Sequence, residues 1–237
     1  MNVLTPNTLG DFMLTNPAGQ RKLEMILSRR LPFPFNGKTG ILLHGVWGTG
    51  KSTLATVLTG LIETAYEGNW NFSQGVINMP AANTQAVHYK MFRCGAALTS
   101  TAFSQAIQNA NDLTPLMNIS RHDYFVFDEV DRLTAAAQQS LRSLMDLKRC
   151  MYFFTTNNLS KIDQGVLDRC HLVEMNQASD LNLYVPFARR LEAKMSLPAA
   201  TLSVAQITDF AKQARGSMRE LTDLLVFECL NLGGTMP

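Results

Sequence analysis

The stretch GVWGTGKS at positions 45–52 follows the spacing G-x-x-x-x-G-K-[ST]. Those residue types at that spacing suit a bound polyphosphate. Glycines let successive backbone N–H groups curl around phosphate oxygens, and the amino end of a following helix adds partial positive charge. Gly45, Gly48, Thr49, Gly50, Lys51, Ser52 and Thr53 form the candidate nucleotide-binding set. Lys51 would reach the β- and γ-phosphates, and Ser52 would offer its hydroxyl to Mg²⁺. Further along, FVFDEVD at 125–131 places Asp128 at the end of an apolar run, with Glu129 next to it. Asp128 is the candidate Mg²⁺ carboxylate beside Ser52, and Glu129 is placed to polarise an attacking water. A phosphate loop alone could bind nucleotide passively; the acidic pair adds parts for hydrolysis. Trp47 is an unusual occupant of such a loop and is expected to pack against its outer side.

These residues need a scaffold that holds them at one place. GILLH (40–44), HYKMFR (88–93), DYFVFD (123–128), CMYFFTT (150–156) and HLVEM (171–175) are short apolar runs that read as strands. Helical spacing falls between them. Leu23, Met25, Ile26 and Leu31 form one pattern between Gln20 and the Pro32–Pro34 break. Leu54, Val57, Leu58, Leu61 and Ile62 form another, and helices are expected over 98–112 and 134–147, the last capped by Thr134. Residues 67–87, rich in Asn, Gly and Pro, read as an irregular excursion. Strands alternating with helices predict a parallel sheet covered on both faces. After about residue 177 only helical segments remain: 180–196, 203–214 and 217–231. The expected organisation is an α/β core over 1–176 and a small three-helix domain over 177–237.

Composition narrows the class. The chain has 237 residues, 46% of them hydrophobic, enough for a core and too many for a disordered chain. Lys and Arg number 21 against 19 Asp and Glu, so a net charge of +2 names no polyanionic partner. Charged residues make up 17%, below the roughly 25% usual in soluble domains, which fits flanks covered by partner subunits. No apolar run reaches membrane-spanning length, and MNVLTPNTLGDF does not read as a signal peptide. Cys94, Cys150, Cys170 and Cys229 form no CxxC pair and have no histidine at zinc spacing. They are expected to be ordinary buried side chains in a reducing, cytoplasmic setting.

At this point the motifs resemble a known family. DEVDRLTAAAQQSLRSLMD (128–146) resembles the Walker B segment and following helix of the AAA+ ATPases, most of all their clamp-loader subunits of the replication factor C and tailed-phage type. TTNNLSKIDQGVLDRC (155–170) is similar to their sensor 1 segment and S-R-C motif, and GSMREL (216–221) to their sensor 2 segment. The resemblance spans roughly 20–230. It implies a P-loop NTPase core followed by a three-helix AAA+ lid, with ATP and Mg²⁺ as cofactors. Asn157 matches the sensor 1 residue that meets the γ-phosphate or attacking water, with Asn158 its neighbour and possible substitute. Arg169 matches the arginine finger inserted into the neighbouring subunit's site, and Arg219 the sensor 2 arginine of the lid. The implied partners are other AAA+ subunits in a homo- or hetero-oligomeric ring or spiral, a sliding clamp and primed DNA. The implied setting is cytoplasmic, or the host cytoplasm if the chain is phage-encoded.

Two departures stand out. Asp168 replaces the serine before the finger arginine, and is expected to hold or partly neutralise Arg169. The chain ends at Pro237, just after the expected lid, where the resemblance implies a further helical collar. A helicase-loader-like or other DNA-linked remodelling ATPase, and a nucleotide-locked structural subunit with little turnover, are the alternatives. Phe12 and Met13 stand where the N-terminal segment could pass the nucleotide base, or serve the core. The basic pairs Arg21–Lys22, Arg29–Arg30, Lys148–Arg149 and Arg189–Arg190 are each expected to be solvated faces.

Overall fold

A computed structural model describes residues 6–67, 79–82, 87, 89–95, 98–117, 121–147 and 149–236. Five strands form one parallel sheet: β1 (Gly40–His44), β2 (Tyr89–Arg93), β3 (Asp123–Asp128), β4 (Cys150–Thr156) and β5 (Cys170–Glu174). Their order across the sheet is β2-β3-β4-β1-β5. All five strands match the sequence expectation within one residue at each end: β1, β3 and β4 agree at both ends, β2 begins one residue later, and β5 begins and ends one residue earlier.

The sheet sorts its side chains by the period of two that strands impose. Ile41, Leu43, Tyr124, Val126, Met151 and Phe153 face one cluster, with Leu54, Leu58 and Leu61 of α2 (Lys51–Glu67) and Leu23 of α1 (Pro17–Leu27). Leu42, Phe125, Phe127, Tyr152 and Phe154 face the other, with Phe103 of α3 (Ser100–Met117) and Leu141 of α4 (Ala135–Leu144). Helices therefore cover both faces, and the strands are apolar on both sides, as buried parallel strands must be. A short helix α5 (Gln164–Asp168) leads into β5.

Beyond β5 the chain forms α6 (Val185–Lys194), α7 (Val204–Ala214) and α8 (Met218–Asn231). They share a third cluster around Tyr184, Leu191, Leu202, Ile207, Leu221 and Leu225. Each begins by a local signal. Ser203 accepts from Gln206 N and the Gln206 side chain returns the bond, a capping box. Ser217 caps α8 through Glu220 N. The expected start of the first of these, at 180, is instead a single tight turn over Leu181–Tyr184.

The first helix differs from expectation. It starts at Pro17, because Asn16 accepts from Ala18 N and Gly19 N and proline suits the first helical turn. It ends at Leu27, so Leu31 lies outside it, and Met25 is an exposed helix position rather than a core one. Most of the expected excursion over 67–87 lies outside the described residues. The basic pair Arg189–Arg190 is not a solvated face: Arg189 pairs with fully buried Glu192 at 2.8 Å, and Arg190 with Asp11 at 2.9 Å. None of the four cysteines is in a disulfide, and all four are buried. Burial pushes the Cys94 and Cys150 thiols up to about 12, and those of Cys170 and Cys229 upward too. No helix among the described residues is long and apolar enough to cross a membrane.

Candidate nucleotide site

The carboxyl ends of β1, β3 and β4 lie side by side, since β4 sits between the other two. The segment after β1 is the phosphate loop, the end of β3 carries Asp128 and Glu129, and Asn157 follows β4 directly. Open α/β sheets place ligands at this end of the strands.

The loop turns on three glycines with positive φ: Gly45 (147°), Gly48 (78°) and Gly50 (87°). At Gly45 a Cβ would also collide with the Met175 carbonyl, and at Gly48 it would displace the Ser217 hydroxyl. Lys51 opens α2 and is only 7% exposed. Its Nζ donates to the Gly45 carbonyl at 3.1 Å, the Val46 carbonyl at 2.5 Å and the Thr49 hydroxyl at 3.3 Å. Burial lowers its pKa from 10.5 to about 8, against the opposing pull of Asp128, Asp131 and Glu129. That places an ammonium and three carboxylates in one polar pocket at the amino end of α2.

Ser52 donates to Asp128 Oδ1 at 2.5 Å, and Thr155 donates to the same oxygen at 2.6 Å. Two hydroxyls thus fix one carboxylate oxygen between strand and loop. The Ser52 and Asp128 oxygens are hard donors, and Mg²⁺ binds through one or two such protein oxygens plus phosphate and water; the residues fit that ion. Among the described residues no group of three or more His, Cys, Asp or Glu side chains could hold a metal ion by protein alone.

Glu129 stands in the left-handed region (φ 58°, ψ 51°), uncommon for a residue with a Cβ. Its N–H donates to Thr155 Oγ1 at 2.9 Å, and its carboxylate pairs with Arg132 at 3.0 Å. Thr156 donates to Asp131 at 2.7 Å and accepts from Asn158 N at 3.0 Å. Sequence reading passed over Thr155 and Thr156. Their signal was two hydroxyls ending an otherwise apolar strand.

The two asparagines separate cleanly. Asn158 is engaged as a cap, accepting from Ser160 N at 3.2 Å and Ser160 Oγ at 2.7 Å. Asn157 is half-buried, and its amide bonds to no other described residue. Arg219 reaches the loop through its backbone: its N–H donates to the Gly48 carbonyl at 3.2 Å. Its side chain is exposed, at the first turn of α8. Trp47 departs from expectation. It is 73% exposed, because the loop's near side is filled by Ser217 and the first turn of α8.

Arg169 is the candidate that the structure keeps apart. It precedes β5, and its carbonyl accepts from Thr39 N and Gly40 N at the amino end of β1. One strand length, roughly 15 Å, separates it from the loop. Its guanidinium grips Asp146 with two bonds of 3.0 and 3.2 Å and donates to the Gly165 carbonyl at 3.2 Å. The expected holder, Asp168, is not the bonded carboxylate; Asp146 is. Of the base-side candidates, Phe12 lies beside Gly50 and packs on the first core cluster, while Met13 packs on the third.

A glycine loop between strand and helix, with a lysine and a strand-end carboxylate closing on it, defines a P-loop α/β fold. Within that class, the family profile of the "ATPase family associated with various cellular activities (AAA)" matches residues 41–177. The chain belongs to this family of ATPases. It is similar over its whole length to replication factor C subunit 4 of Encephalitozoon cuniculi, at 21% identity, and spans 66% of that protein. It is 26% identical over 143 residues to replication factor C subunit 2 of Arabidopsis thaliana, covering 59% of this chain and 37% of the relative. The chain therefore spans less than two thirds of these relatives. A structure of Thermotoga maritima RuvB superposes over the whole chain with TM-score 0.67 at 16% identity, covering 70% of that chain. That likeness concerns the fold.

Proposed function

We propose that the chain hydrolyses ATP as a clamp-loader-like subunit of an oligomeric ring or spiral acting in DNA replication. In this reading residues 1–176 form the nucleotide-binding core and 177–237 the lid. The backbone amides of the loop and Lys51 would hold the phosphates, and Ser52 and Asp128 would hold Mg²⁺. The metal, when bound, neutralises charge on the β- and γ-phosphate oxygens. Glu129 orients the water and takes its proton, Asn157 steadies the water or γ-phosphate, and Arg219 brings the lid to the same phosphate. Thr155 serves twice, fixing Asp128 by its hydroxyl hydrogen and Glu129 through that residue's backbone.

The observation that carries the reading is the separation of Arg169 from the loop of its own chain. Phosphoryl transfer spreads negative charge over oxygens that an arginine stabilises. Arg169 lies at the far end of the sheet, where only a neighbouring subunit's nucleotide could meet it. The resemblance to replication factor C subunits supports clamp and primed DNA as the clients.

Steady-state ATP turnover, measured with and without a sliding clamp and primed DNA, tests this. Stimulation by both together is expected. Stimulation by another client alone would move the chain to the remodelling ATPases. Absence of turnover under every condition would leave a structural subunit.

A further inference from the structure

We infer that Asn176 is a positioning residue for the phosphate loop, with its orientation imposed by Glu174. The inference rests on the loop being the nucleotide site. Asn176 lies just past β5, beside the loop. Its Oδ1 accepts from Val46 N at 3.0 Å, the first peptide after Gly45. Its Nδ2 donates to Glu174 Oε1 at 2.6 Å. The other carboxylate oxygen, Oε2, accepts from Asn16 Nδ2 at 2.6 Å. These bonds hold the Glu174 carboxyl below its ordinary range.

An amide has one accepting and one donating end, whereas a carboxylate only accepts. Glu174 receives an amide N–H at each oxygen, so both asparagines must turn their NH₂ groups toward it. Asn176 is thereby forced to present its oxygen to the loop. A glutamine at 174 lacks that compulsion, because its own NH₂ can be satisfied only if one neighbour reverses.

The loop is held here more than once. Gly45 lies against the Met175 carbonyl, Met175 N donates to the His44 carbonyl at 2.7 Å, and Thr15 Oγ1 donates to the Asn176 carbonyl at 2.7 Å. With Val46 N–H turned aside to Asn176, the later amides, from Gly48 to Ser52, are left to face a phosphate. The same segment carries the lid: Gln177 packs under Gly216, whose Cβ position lies 2.9 Å from Gln177 Cβ. Asn176 therefore ties the loop's opening peptide to the base of the lid, as Arg219 N ties Gly48 to its last helix, α8.

The test is a double-mutant cycle of Glu174→Gln and Asn176→Leu in the full chain. It is read by titration of a fluorescent ATP analogue with Mg²⁺ and by steady-state kinetics. Asn176→Leu is expected to weaken binding about five-fold. KM should rise while kcat stays within about two-fold, since the residue acts before the chemical step. Glu174→Gln should cost about two- to three-fold alone and nothing further in the double variant. Wild-type affinity in Asn176→Leu, or full additivity in the double variant, overturns the inference. Should Asn176→Leu not fold, unchanged affinity in Glu174→Gln overturns it equally. Wild-type protein that does not bind the analogue, or Lys51→Ala that binds it as wild type does, overturns the nucleotide-site reading and this inference with it.

Discussion

The two ends of the sheet are built on different terms. At the carboxyl ends of the strands, Lys51 donates into its own loop, Ser52 and Thr155 share Asp128, Glu129 N–H meets Thr155, and Thr156 meets Asp131, all within one chain. At the amino end, half-buried Arg169 meets the Gly165 carbonyl and one carboxylate, that of Asp146, which is 60% exposed. An exposed ion pair contributes little, about 0.2–1 kcal/mol. An arginine held so lightly can exchange its carboxylate for another anion at small cost. In the proposed reading the loop end binds the nucleotide and the far end serves a neighbouring subunit.

The largest expected effect breaks that division directly. Arg169→Ala should lower turnover about 1,000-fold or more in the assembled protein, with nucleotide affinity kept. Mixing it with Lys51→Ala should restore part of the activity, because the Lys51→Ala subunits lend an intact arginine to intact loops. An Arg169→Ala protein that turns over at the wild-type rate would end the reading of a shared site. Next in size is Glu129→Gln, expected to reduce turnover about 100-fold with binding intact; equal turnover would remove Glu129 as the base. Asp146→Ala sharpens the contrast. Its loss should change turnover less than about five-fold, and a loss as deep as that of Arg169→Ala would mean that the pair itself, not the free arginine, is what matters.

The smallest effect is one of pH. Lys51 has a pKa of about 8 in the fold, so its ammonium is lost as pH rises through that value. Affinity for the ATP analogue should fall several-fold between about pH 7 and pH 9, and Lys51→Arg, charged throughout, should flatten the profile. Stability moves the other way. Between about 8 and the ordinary 10.5 the unfolded chain binds more protons at this residue, so its contribution makes the fold more stable as pH rises through that window. Thermal melting against pH, compared with Lys51→Met, would expose a wrong sign.

The strands were legible because GILLH, DYFVFD and CMYFFTT each carry an unbroken apolar run that stops at polar residues. The loop was legible because its chemistry is local: glycine, lysine and serine act within eight consecutive positions. Tertiary register was not. Nothing near Arg169 in sequence points to Asp146, whereas Asp168 stands next to it; the fold chose the carboxylate 23 positions back. Thr155 acquires its role only when β4 lies beside β3, and Asn176 only when β5 lies beside β1. The first helix was misplaced for a related reason. The apolar spacing drew Leu31 in, while the true start was set by a capping asparagine and a proline upstream of the pattern. Trp47 departs from expectation because Ser217 and the first turn of α8 lie against Gly48, a contact that only the tertiary fold creates.

The exposed indole of Trp47 gives the molecule an optical handle. It sits in the loop one residue before Gly48, whose carbonyl accepts from Arg219 N of α8. The chain has one other tryptophan, Trp70, so a Trp70→Phe variant leaves Trp47 as its single indole. Emission from the remaining indole would then report solvent contact at the loop. A blue shift on adding nucleotide, or on raising protein concentration with nucleotide present, would time loop engagement and subunit docking in the unlabelled protein, and separate the two events by their dependence on concentration.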